Sequence, residues 1–178
     1  MEVSDYRDME HDQQYDKIVS IGMFEHVGEA LLPEYFRRAW DSLRPGGVFL
    51  NHGIVHSATY HRHGPSFTEL RVSRRELEPI RTSLRAAELS GFGLRDVESL
   101  REHYGLTLHH HWVRRLATHS EEARRITDDT TYRTWRLYMA GAAHGFRGGR
   151  LNLNEILLAK PLQGRTGLPL TREDWYRG

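Results

Sequence analysis

The stretch YDKIVSIGMFEHVG, residues 15–28, decides the fold. Its first half gathers Ile18, Val19 and Ile21 into a short apolar run that closes on Gly22, the pattern of a buried strand. An acidic turn carrying Glu25 follows at once. Downstream, Leu32, Tyr35, Phe36, Ala39 and Leu43 recur at helical spacing, and Pro45, Gly46 and Gly47 end that helix and turn the chain. Residues 47–54, GVFLNHGI, form a second apolar run of strand length. Strand, helix and strand with short joints make one crossover unit of a parallel sheet, so the fold class is α/β.

Beyond this unit, residues 56–75 are polar, rich in histidine and arginine, and broken by Gly64 and Pro65, which predicts an irregular excursion from the sheet. A helix over 79–90 stops at Gly91, and 94–100 reads as a third strand. Helical pattern returns over 104–118, 121–126 and 131–143, the last with Trp135, Tyr138, Met139 and Ala142 as a core stripe. Leu151, Leu153, Ile156, Leu157 and Leu158 predict a last strand over 150–160, antiparallel at a sheet edge. Residues 1–162 then make one domain, and the polar stretch 163–178 a loose tail.

The 178 residues carry 25 basic and 24 acidic side chains, so no long-range field draws the molecule to nucleic acid, and no nucleic-acid partner is expected. No apolar run approaches the ~20 residues that cross a bilayer. The chain has no cysteine, which excludes a disulfide framework and a thiolate zinc site. With no leader pattern at Met1, the expected location is cytoplasmic, with any membrane contact peripheral.

Residues 15–28 are similar to the strand and active-site turn of the cyclopropane fatty acid and mycolic acid cyclopropane synthases. The likeness continues in register through LRPGGVFLNHGI (43–54), RDVESLREHY (95–104), WRLYMAGAAHGF (135–146) and LNLNEILLAK (151–160). The chain thus resembles the C-terminal part of a cyclopropane-fatty-acyl-phospholipid synthase. This implies a doubly wound, Rossmann-like sheet of an S-adenosylmethionine-dependent methyltransferase, with the cofactor over the carboxyl ends of the strands. Nothing ahead of Tyr15 resembles that family's first strands and glycine-rich turn, so the expected fold is the C-terminal portion of the sheet without them. DYRD, residues 5–8, is similar to the end of the family's third strand, where an aromatic residue flanks the adenine, and Tyr6 carries over as the cofactor contact.

The resemblance also implies a reaction. Family members transfer the cofactor's methyl group to the double bond of an unsaturated phospholipid acyl chain at a membrane surface, and the resulting cation loses a proton as a cyclopropane ring closes. The base is thought to be a bicarbonate ion. By matched motif, Glu25, His52, the backbone of Ile54 and Tyr104 fall on four of the positions that hold it. A phenol and an imidazole can donate to an anion. A carboxylate beside bicarbonate is a like-charge pair, so one of the two carries or shares a proton. The pocket must also stay dry, because water would quench the cation. The chain departs from the family at residues 72–75, VSRR, and in the run His109 to His111, so the resemblance does not carry over the substrate-facing geometry.

Each residue has a plainer reading. Glu25 could cap a helix starting near Glu29, His52 could be a core histidine, and Tyr104 could anchor a helix by packing. His56, His61 and His63 with His109 to His111 invite a metal, but consecutive helical residues point ~100° apart, so no metal site is expected. Arg71, Arg74 and Arg75 could meet lipid phosphate or only water. Two other functions stay open. One is a non-catalytic remnant or half of a split enzyme, whose exposed strand edges another chain covers. The other is a related methyltransferase acting on a different substrate.

Overall fold

The apolar run after Asp16 lies in strand β1 (Tyr15–Ile21), and the helical spacing after it in helix α1 (Leu32–Ser42). The computed structural model describes residues 5–8, 15–59 and 77–177. Strand β2 (Leu43–His56) follows directly, then helix α2 (Ile80–Leu89) and strand β3 (Gly93–Ser99). Helix α3 (Arg101–Thr107) runs through a π-helical segment, Leu108–Arg114, into α4 (Arg115–Thr118). Helices α5 (Ser120–Ile126) and α6 (Asp129–Arg147) lead to strand β4 (Leu151–Ala159).

The four strands form one sheet in the order β1-β2-β4-β3. β1 and β2 are parallel, with Val19 opposite Leu50 and Ile21 opposite His52, and α1 is their crossover. β4 is antiparallel to both β2 and β3. The antiparallel pairing agrees with the sequence reading, but the position differs. β4 lies inside the sheet, and β3 is at the edge. The reason is burial on both faces: Leu153 faces one side, Ile156 and Leu158 the other, and all three are buried. β3 instead carries Arg95, Asp96 and Glu98, the charged composition that suits an edge.

Alternation along β2 divides its side chains between two cores. Phe49 and Val55 face α1 and α2, where they pack with Phe24, Leu32, Tyr35, Phe36, Phe92 and Leu158. Ile54 faces the other way, toward a second cluster of Leu108, Ala143, Phe146 and Leu153. Of the expected stripe on α6, Met139 and Ala142 pack against this cluster, whereas Trp135 is exposed. The tail is tethered: the Arg172 guanidinium pairs with Asp96 on β3 at 2.6 Å, and Trp175 lines a cleft beside Leu50 and Leu157. His61, His63, Arg71, Arg74, Arg75 and the 72–75 departure lie outside the described residues.

Candidate active site

Glu25 reaches its position because β1 stops early. The strand ends at Ile21 opposite His52, and Gly22, at φ 64°, turns the chain while its N–H donates to the His52 carbonyl at 2.9 Å. A 3₁₀ turn, Phe24–His26, then folds back over the end of β2. Glu25 takes the place of the next rung of the ladder: its Oε1 accepts the N–H of Ile54 at 2.8 Å. Gly53 makes room for this, since a Cβ there would sit 2.1 Å from the Phe24 ring and 3.2 Å from the Glu25 carboxyl carbon. Glu25 is no helix cap. The following 3₁₀ turn begins at Gly28 without a side-chain cap, and Glu25 is only 2% exposed.

Among the described residues, four buried polar atoms near the carboxyl ends of β1 and β2 have no hydrogen-bond partner: Ser20 Oγ and Asn51 Nδ2 on the face that α1 covers, His52 Nδ1 on the opposite face, and Glu25 Oε2 past the end of β1. Leaving such a group unpaired costs about 1–3 kcal/mol, which makes Glu25 Oε2 and His52 Nδ1 candidates for contact with a polar ligand. Asn51 is held from the other side, its Oδ1 accepting the Tyr35 hydroxyl at 2.7 Å. Burial pushes the Tyr35 phenol well above its ordinary range, and the nearby Glu25 charge adds to this. Ser20 Oγ draws the phenol's pKa the opposite way, though it falls short of hydrogen-bond geometry.

The residues singled out in the sequence meet to different degrees. Glu25 and Ile54 are in direct contact. Half-buried His52 lies two residues before Ile54, on the same face of β2. Tyr104 opens out from α3 into the cluster that includes Ile54 and packs edge-on to Phe146, ring centroids 4.9 Å apart. Tyr6 is half-buried in a short 3₁₀ turn, 5.7 Å edge-on from Tyr35, and burial raises its phenol pKa. One expectation is amended: the Ile54 amide, implied as an anion donor, is engaged by Glu25 itself. Two contributors were missed, Tyr35 and Asn51. The signal for Asn51 was present as a lone amide in an otherwise apolar strand, whereas Tyr35 read only as helix core. Among the described residues, no group of three or more histidine and carboxylate side chains could hold a metal ion.

The donor and acceptor types of Glu25 and His52 are compatible with a bicarbonate ion. It presents one O–H, which Glu25 Oε2 can accept, and further oxygens that can accept from His52 Nδ1–H. Tyr6 presents a half-buried ring that could flank an adenine.

The chain is similar to several known proteins. The family model described as mycolic acid cyclopropane synthetase matches residues 1–156. A probable fatty acid methyltransferase of Pseudomonas putida is 41% identical over 99% of this chain and 46% of its own length. The cyclopropane synthase MmaA2 from Mycobacterium tuberculosis superposes with a TM-score of 0.77 and 28% identity, over 86% of this chain and 57% of that one. The mycolic acid cyclopropane synthase CmaA1, complexed with SAH and CTAB, gives 0.78 and 26% over the same shares. The chain therefore spans about half the length of these relatives, and its sheet corresponds to their C-terminal part. On the strength of the family match and the shared fold, the chain belongs to the mycolic acid cyclopropane synthetase family of S-adenosylmethionine-dependent methyltransferases.

Proposed function

We propose that this chain carries the proton-accepting half of an enzyme that adds a methylene group to the double bond of an unsaturated phospholipid acyl chain. S-adenosylmethionine supplies the methyl group when bound. The observation that carries the reading is that Glu25 Oε2 and His52 Nδ1, at the carboxyl ends of β1 and β2, are buried without a partner among the described residues, in a chain of this family. Glu25 Oε2 and His52 Nδ1 hold the bicarbonate that accepts the proton, with the Tyr104 phenol as a third contact. The Ile54 N–H contributes indirectly, by fixing the Glu25 carboxylate. Phe24, Ile54 and Tyr104 give the site apolar walls that keep water from the developing cation. The reaction takes place in the cytoplasm at a membrane surface.

The test is mass analysis of unsaturated phospholipid vesicles incubated with the protein, S-adenosylmethionine and bicarbonate. A gain of one methylene with loss of the double bond supports the reading; a methyl branch points to the related methyltransferase; an unchanged lipid at saturating cofactor counts against both.

A second reading has its own observation. Val19 and Ile21 on edge strand β1 are 59% and 68% exposed, more than a stable apolar strand leaves open. This supports a chain that works with further polypeptide covering β1.

A further inference from the structure

Beyond the Glu25 site, a cleft of about 260 Å3 opens at the carboxyl end of β2. Val55, His56 and Ser57 line it from that strand and the turn after it, with Arg81 of α2, Arg101 of α3 and Asn152 of β4 opposite. Two of these side chains, Arg81 and Arg101, are guanidinium cations, and no carboxylate lines the cleft among the described residues.

Both arginines line the cleft. Arg101 meets one acid, Glu102, at 3.2 Å, but Glu102 is 85% exposed, and such a surface pair neutralises little. Gly149, at φ 72°, seats the Arg101 guanidinium: a Cβ at that position would lie 3.0 Å from its Nη1. Arg81 is exposed in the first turn of α2, a helix with no acidic residue in that turn and no side-chain cap from Pro79. A cation there opposes the helix dipole, which an anion in the cleft offsets. Guanidinium forks match the oxygens of a phosphate group better than any other common anion except carboxylate.

We propose that this cleft binds the phosphate of a glycerophosphate group. The lipid form of the proposal rests on the function proposed above, whereas phosphate binding itself does not. His56 follows His52 by four residues on β2, about 13 Å at the usual strand rise. A phosphate bound here therefore lies within an acyl chain's length of the Glu25 site. The volume lies below the ~300–1,000 Å3 of a pocket that engulfs a whole ligand, so the cleft takes a headgroup and leaves the chains outside.

The test titrates inorganic phosphate and glycerol 3-phosphate into the purified chain by calorimetry, beside co-sedimentation with phosphatidylglycerol vesicles. Arg81→Ser with Arg101→Ser is expected to weaken phosphate binding about 10-fold or more, while Arg81→Lys, which keeps the charge but loses the fork, falls between. Circular dichroism checks that these exposed changes leave the fold intact. Glu25→Gln is expected to bind phosphate as the parent does, which separates this site from the reaction. If the arginine variants also lose the vesicles, the phosphate is a lipid headgroup; if they lose only the soluble esters, it belongs to a soluble ester. Parent protein that binds neither phosphate nor glycerol 3-phosphate, or arginine variants that bind both as well as the parent, would overturn the proposal.

Discussion

At the scale of single residues, the site is a set of buried polar groups in which some partners are fixed and others are left open. Glu25 uses one oxygen for Ile54 and keeps the other free. Glu25→Gln keeps the shape but replaces a charge-bearing oxygen with an amide, and methylene transfer is expected to fall by about 100-fold or more, read from lipid product mass. Tyr35→Phe leaves Asn51 Oδ1 without its donor, and denaturant unfolding should show a loss of about 1–3 kcal/mol. The Tyr35 phenol also predicts a pH effect. Its folded pKa is raised above the ordinary 10.0 by burial, so above that pH the unfolded chain loses the proton while the folded one keeps it. Stability from this group is complete below pH 10.0 and declines as pH rises beyond it, and Tyr35→Phe should flatten that decline in alkaline denaturation curves.

At the scale of elements, two helix ends show how sequence-distant residues finish local structure. Lys160, just past β4, donates to the carbonyls of Trp40 and Leu43 at 2.8 Å each and lies 4.9 Å from the Trp40 ring centroid. It therefore closes the C-terminus of α1 from 117 residues away. Lys160→Met fills the space but strands two carbonyls, and a loss of about 1–3 kcal/mol is expected in thermal or denaturant unfolding. Asp128 caps α6, accepting the Thr131 N–H at 2.8 Å and its hydroxyl at 2.6 Å. These bonds hold its carboxyl below the usual 3.8. The cap contributes above pH 3.8 and is lost as pH falls below it, so Asp128→Ala should lower the melting temperature at pH 7 more than in strong acid.

At the scale of the molecule, the sheet has a core on each face and is open at one edge. α1 and α2 cover the first core, while β1 presents Val19 and Ile21 outward. Ile21→Lys with Val19→Lys should leave the fold in place and reduce self-association or capture of a complementary chain, measured by sedimentation velocity; unchanged assembly would argue against β1 as a docking edge. Much of this was legible in the amino-acid order. The run 15–21, the helical spacing 32–43 and the apolar run 47–54 named a parallel crossover, because side-chain period and short joints leave few other arrangements. Glu25, His52, Ile54 and Tyr104 were legible as a set only through motif. What local pattern could not supply was set by long-range packing. β4 entered the sheet between β2 and β3 because both its faces are apolar, a property that shows its value only once neighbours exist on each side. Likewise, Tyr35 joined the site because α1 lies across β2 and puts its phenol on Asn51, and the Ile54 amide went to Glu25 because β1 ends one rung short. The sequence by itself determined which segments are strands and helices and which side chains can do chemistry; the tertiary structure alone decided which buried donors and acceptors are paired and which stay open, since pairing depends on distances between residues far apart in the chain.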